Sequence, residues 1–220
     1  MRLLRNASRY IIALVFIFSG LVKAVDPLGS TYKFIDYFYA FNLDWLEPSA
    51  LIFSILLSAV EFAIGFALLS NALTRISSIF MFAFMSFFTA LTLVLAIYNP
   101  VSDCGCFGDA LVLTNWQTFY KNLLLIVLTF CVYYYRNRIK PLPGRLAGSF
   151  LFTFSLVVYA GFVIYSYNHL PVFDFRPYKV GVHIPDAMAV PADAPQDEYE
   201  NILYYKHRKT GEIKEFTEDN

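Results

Sequence analysis

The sequence predicts an all-α integral membrane protein, built as a four-helix transmembrane bundle with a fifth transmembrane helix and a short exoplasmic β-hairpin tail. Three observations carry this. Hydrophobic residues make up 58% of the 220 residues and charged residues only 15%. Several apolar runs approach the ~20 residues needed to cross ~30 Å of hydrocarbon. The last fifty residues change composition, to prolines followed by short β-rich stretches. One large buried helical core would need many more polar residues to cover its surface. The formal net charge is zero and the apolar part holds no long charge run, so nucleic acid is excluded as a partner and the lipid bilayer is the expected one.

The first run is Tyr10 to about Val25, behind Arg2, Arg5 and Arg9. A signal peptide with cleavage near Val22-Lys23-Ala24 is the alternative, but the run is longer than a usual signal core, and an uncleaved helix is the reading taken. Residues 26–48 form an aromatic amphipathic connector (Tyr32, Tyr37, Tyr39, Trp45 among others) of the kind found at membrane interfaces. The second run is Ser49–Ser70, with Glu61 near its middle. After a tight turn at Asn71–Arg75 comes the third, Ile76–Tyr98. Asn99–Asn115 is a polar gap. Trp116–Tyr135 is the fourth run, ending in Arg136-Asn137-Arg138-Ile139-Lys140-Pro141, and about Leu146–Tyr167 is the fifth. The expected domains are 1–136, the four-helix part; 137–167, a cytoplasmic basic loop and the fifth helix; and 168–220, an exoplasmic strap and hairpin.

Basic residues set the expected orientation. Arg2, Arg5, Arg9, Arg75, Arg136, Arg138, Lys140 and Arg145 all fall on one side if five runs span. The opposite connections hold Lys23 and Lys33 but also Asp26, Asp36, Asp44, Glu47, Asp103 and Asp109. The positive-inside rule then puts the amino terminus in the cytoplasm, and the polar gap and tail outside the inner membrane. In the tail, Pro171, Pro177, Pro185, Pro191 and Pro195 point to an extended strap. Ile202–Tyr205 and Glu212–Phe216, around Lys209-Thr210-Gly211, read as a hairpin that must pack on something to be stable.

Chemistry concentrates in Asp103-Cys104-Gly105-Cys106-Phe107-Gly108-Asp109. Two cysteines one residue apart can bring their Cα atoms within the ~4.4–6.8 Å a disulfide needs if the link turns tightly. Gly105 permits that turn, and Gly108 belongs to the same loop geometry. In an oxidising compartment this is a thiol–disulfide exchange site; the bland reading is a permanent staple of the loop. A third reading, in a metal-handling or transport subunit, joins the two thiolates with His169, His183 or His207, none of which has ligand spacing to another. Asp103 and Asp109 disfavour the thiolate and so weigh against a strongly activated nucleophile. Cys131 lies roughly 22 Å along its helix from the loop, out of reach, and reads as a small buried hydrophobe.

Glu61 is the intramembrane polar residue to explain. It serves either as a proton or quinone site or as a protonated, purely architectural hydrogen bonder. Counted from the outer surface it sits about 18 Å deep, level with Ser86 and Thr89. Lys23 sits near the outer end of its helix, so a direct pair would have to span more than ~10 Å.

Several stretches are similar to a known family. Phe18-Ser19-Gly20-Leu21-Val22-Lys23-Ala24-Val25-Asp26-Pro27 resembles the end of the first helix in DoxX-like membrane proteins, and Glu61 followed by Gly65 and a leucine pair resembles their second. Cys104-Gly105-Cys106-Phe107-Gly108 resembles the cysteine motif of the MauE branch, the methylamine-utilisation membrane protein. The likeness covers about residues 8–136. It implies a four-helix membrane module that helps form or maintain disulfides in exported methylamine dehydrogenase, a functional analogue of carriers such as DsbB. It further implies Cys104 and Cys106 as the redox pair and an exported or thioredoxin-like protein as partner. DsbB-type carriers use further cysteines and a quinone, whereas this chain has no second external pair. The DoxX side implies quinol-linked chemistry, which Glu61 can serve.

Overall fold

The computed structural model describes residues 2–139, 145–176, 179–188, 203–206 and 213–216. Five long helices dominate them: α1 (Arg2–Val25), α3 (Ala50–Leu69), α4 (Thr74–Tyr98), α5 (Asn115–Tyr134) and α6 (Arg145–Asn168). A shorter α2 (Pro27–Ala40) and a 3-10 turn (Asp44–Ser49) form the connector between α1 and α3. Asp26 caps α2 by accepting the Gly29 N–H at 2.9 Å, with Pro27 in the first turn, where its missing N–H costs nothing. Thr114 and Gln117 form a reciprocal capping box that starts α5 as the chain leaves the cysteine loop.

Four helical segments are long and apolar enough to cross a membrane: Leu3–Val25, Asp44–Leu69, Thr74–Tyr98 and Ala147–Asn168. The protein is therefore a multi-pass membrane protein, and a lipid bilayer is its surroundings. Five spans were expected. The one that falls short is α5, which has the length but carries Gln117, Lys121 and Asn122 in its first half. Asn115, Thr118 and Asn122 are buried toward the other helices, while Leu124, Val127 and Phe130 are exposed. Its polar face lowers the mean hydropathy without leaving the bundle.

The bundle is organised on pairs. Helices α1 and α3 pack along most of their length, as do α4 and α5, while α3 and α4 meet over a shorter stretch. The core joins Ile12, Phe16, Ile64, Leu68, Met81, Met85, Leu125 and Val132. Helix α6 lies against the α1–α3 seam: Tyr159 stacks on Phe62 with ring centroids 4.3 Å apart, and its hydroxyl donates to the Gly20 carbonyl at 3.1 Å.

Two compact units divide the chain, residues 1–179 and 180–220. In the second, Leu203–Lys206 pairs antiparallel with Ile213–Phe216, placing Leu203 opposite Phe216. The four-residue helix α7 (Ile184–Ala187) has Pro185 in its first turn, a departure from the extended chain expected there. Pro177, Pro191, Pro195 and the turn residues Lys209-Thr210-Gly211 lie outside the described residues.

Candidate functional site

The cysteine loop is held by four side chains from α1 and α2. Cys104 and Cys106 are bonded to each other with their Cα atoms 5.5 Å apart, across a Gly105 whose φ of +59° a side-chain-bearing residue would adopt only with strain. The Gly108 N–H closes the turn on the Gly105 carbonyl at 3.0 Å. Asp103 accepts the Gly105 N–H at 2.9 Å and pairs with Lys33 at 2.6 Å. That pairing corrects the expectation that Asp103 simply burdens the thiolate, because its charge is already met by an ammonium. Tyr37, one helical turn beyond Lys33, donates to the Cys104 carbonyl at 2.9 Å. Burial, followed by the nearby Asp103 and Asp36, pushes this phenol well above its ordinary range, so it stays a neutral donor.

Beneath the loop sits a buried ion pair. Lys23 Nζ lies 2.8 Å from Glu61 Oε2, with side-chain exposures of only 5% and 9%. This overturns the expected separation of more than ~10 Å. Rise per residue placed the end of α1 level with the start of α3. Packing instead sets the Pro27 carbonyl beside Ser54, whose hydroxyl donates to it at 3.3 Å, a full turn further along α3. Cα–Cβ bonds tilt toward a helix's own amino terminus, so Lys23 and Glu61 lean toward each other from antiparallel helices. Ser86 and Thr89, expected at the depth of Glu61, donate to carbonyls of their own helix, Phe82 and Met85.

The ion pair and the loop form one hydrogen-bonded unit. Lys23 donates to Glu61, to Ser19 Oγ at 2.8 Å and to the Cys106 carbonyl at 2.5 Å. An ammonium has three donors, so all three are used. Ser19, one turn before Lys23, lies 2.9 Å from Glu61 Oε2 and 2.7 Å from the Cys106 carbonyl. Cys104 is buried and Cys106 half-buried.

A cavity of about 530 Å³ opens under the loop. Cys104, Gly105, Cys106 and Phe107 form its head with Ser19, Lys23, Glu61 and Lys121, and α2 roofs it with Phe34, Tyr37 and Phe38. The walls are leucines and phenylalanines of α3 and α4. Ser19, Lys33, Tyr37 and Lys121 were not singled out from the sequence. The signals existed: Ser19 and Lys33 each stand four residues before a polar partner on the same helix face, and Lys121 interrupts an apolar run.

The remaining candidates stand apart. Cys131 is a free thiol in α5. His169 places Nδ1 2.9 Å from the Tyr165 carbonyl, and His183 pairs with Asp186 at 3.0 Å. Among the described residues no group of three or more His, Cys, Asp or Glu side chains could hold a metal ion; His207 lies outside them.

A multi-pass helical bundle with a cysteine pair seated on a buried lysine–glutamate pair defines the class. The family model of the methylamine utilisation protein MauE matches residues 1–135, and the chain belongs to that family. No curated protein and no solved structure matches it.

Proposed function

We propose that this protein exchanges disulfides with an exported protein through Cys104 and Cys106 at the outer surface of the inner membrane, in support of its maturation. The observation carrying this is a bonded cysteine pair one residue apart in a loop, with Cys106 half-buried rather than sealed. Family membership ties the chain to methylamine utilisation and favours a methylamine-dehydrogenase-like client. The distribution of basic residues favours a cytoplasmic amino terminus, five spans including α5, and an outward loop and tail. The domain reading is 1–136 as the family module, 137–167 as basic loop and last helix, and 168–220 as an exoplasmic strap and hairpin.

The exchange balances as follows. A client thiolate attacks Cys106 Sγ, breaking the Cys104–Cys106 bond and forming a mixed disulfide, and Cys104 leaves as a thiolate that takes up a proton. A second client thiolate attacks its own partner sulfur and releases Cys106. The client is oxidised by two electrons and the pair is reduced by two. Lys23 and Ser19 hold the Cys106 backbone throughout, and Asp103, with Lys33, holds Gly105.

In the test, cells carrying Cys104→Ser accumulate a mixed disulfide through Cys106, and Cys106→Ser gives less. If neither variant traps any partner while client activity survives, the exchange reading fails. The hydrogen bonds from Lys23 and Ser19 to Cys106 favour a second reading, a loop staple in a membrane scaffold. A staple predicts lost protein level in both variants, without trapped partners. A membrane-impermeant maleimide checks the topology: it labels the reduced pair in intact cells, whereas labelling only after lysis overturns the outward orientation.

A further inference from the structure

We propose that the cavity beneath the cysteine loop binds a lipid-soluble quinone, which accepts the two electrons that the reduced Cys104–Cys106 pair carries after exchange. The inference rests on the exchange reading and supplies its missing half.

The pair has no thiol outlet in its own chain. Cys131 lies about sixteen residues into α5, some 24 Å along the helix from the loop end. What the pair does adjoin is a cavity of about 530 Å³, inside the ~300–1,000 Å³ range of small-molecule sites. Its mouth lies between α3 and α4, where the lining residues Phe53, Leu56, Val60 and Phe87 are all exposed. In a membrane helix bundle such an opening faces acyl chains, so an occupant enters from the bilayer and must be apolar over most of its length.

The head of the cavity selects the polar end of that occupant. Lys23 has spent its three donors on Ser19, Glu61 and the Cys106 carbonyl, and Lys33 is paired with Asp103. Lys121 is different. Its ammonium sits 4.2 Å over the Phe107 ring, and it makes no hydrogen bond or ion pair among the described residues. A cation left with open donors beside a redox-active sulfur pair suits an uncharged acceptor that becomes electron-rich on reduction. A quinone carbonyl is such a group. Reduction of the quinone takes two electrons and two protons from the two thiols, re-forms the S–S bond and yields one quinol. Lys121 is a binding and positioning residue here, donating to the carbonyl oxygen on which charge develops.

The test uses the full chain in lipid nanodiscs, with decylubiquinone and menadione as probes. Saturable decylubiquinone binding is expected, and anaerobic addition to the reduced protein should yield one quinol per disulfide re-formed. Lys121→Met should lower quinone affinity about tenfold to a hundredfold, the equivalent of one charged hydrogen bond, with Lys121→Arg recovering part of it. Val60→Trp, which fills the mouth, should slow reoxidation, and Phe150→Leu on the far face of α6 should not. Absence of saturable binding overturns the proposal. So does binding that oleate or phospholipid displaces fully while reoxidation ignores both Lys121→Met and Val60→Trp, since the cavity then holds acyl chains alone. If the oxidised wild type fails to exchange with a dithiol peptide yet binds decylubiquinone through Lys121, the exchange reading falls and the quinone site stands.

Discussion

Helix α3 presents two seams that differ in kind. Toward α1 it is closed. A Cβ on Gly20 would stand 2.8 Å from the Ser58 carbonyl oxygen, and one on Gly65 would stand 2.8 Å from both the Ala13 carbonyl oxygen and the Ile17 nitrogen. Toward α4 it stands open along its amino-terminal half, and phenylalanines and leucines line a cavity in place of a packed contact. Small residues let backbones approach in a medium that offers no hydrophobic drive between helices. Bulky ones on both helices hold them apart. The closed seam carries the Lys23–Glu61 pair and so fixes the cysteine loop from below, while the open seam leaves that loop reachable from the bilayer. One face supplies rigidity and the other access.

The largest way to break this contrast is to leave one charge of the closed seam alone. Lys23→Met strands the Glu61 carboxylate and should cost about 3–5 kcal/mol, with the double variant Lys23→Met/Glu61→Gln recovering much of the loss. Chemical unfolding in detergent reads both, and additive losses would mean the two residues do not act as a pair.

Next comes steric closure. Gly65→Ala drives a methyl into the α1 backbone and should cost about 1–3 kcal/mol. Val60→Ala on the open seam should stay within about 0.5 kcal/mol. Equal effects at the two positions would erase the distinction between the seams.

Smaller still is the tie from α6. Tyr159→Phe keeps the stacking on Phe62 and removes the hydroxyl that bonds to the Gly20 carbonyl and meets Ser58, so about 1 kcal/mol is expected. An unchanged unfolding midpoint would show that α6 is held by its apolar contacts alone.

The smallest effect lies at the carboxyl-terminal end of the first unit, away from both seams. Arg176, bonded to Asp174 at 2.9 Å, holds that carboxyl at about 2, below its usual 3.8, and Arg176 also reaches Asp26 at 3.7 Å. A depressed carboxylate contributes stability above its unfolded value and loses it as pH falls through the folded one. Acidification between about pH 4 and pH 2 should therefore loosen Asp174 from Arg176, read as lower amide protection at residues 174–176 relative to the intrinsic exchange rate, and Asp174→Asn should remove this contribution. Partial exposure keeps the effect small.

Much of the architecture was legible along the chain. Apolar runs marked α1, α3, α4 and α6, and interfacial aromatics with Asp26-Pro27 marked the connector. Cys104, Gly105 and Cys106 stood out because chemistry-bearing residues are rare in so apolar a sequence. Helix α5 reads along the chain as a fourth apolar run, yet it is not among the segments apolar enough to cross a membrane, because Gln117, Lys121 and Asn122 lower its mean hydropathy. Lys121 draws little notice along the chain, as one cation near the start of an apolar run.

By itself, the sequence determined that the chain is a multi-pass helical membrane protein, where the polar gap falls, and that Lys23, Glu61 and the cysteine pair needed explaining. Hydrophobic length and residue type are properties of a segment alone. Only the tertiary structure decided that these residues form one site. Depth in the bilayer is not a count of residues from a helix end; it depends on how far α1 slides along α3 before Gly20 of α1, Gly65 of α3 and the Pro27–Ser54 contact lock it. That slide brings Lys23 onto Glu61 and seats Cys106 above them. The opening between α3 and α4 likewise arises from packing that no single helix encodes.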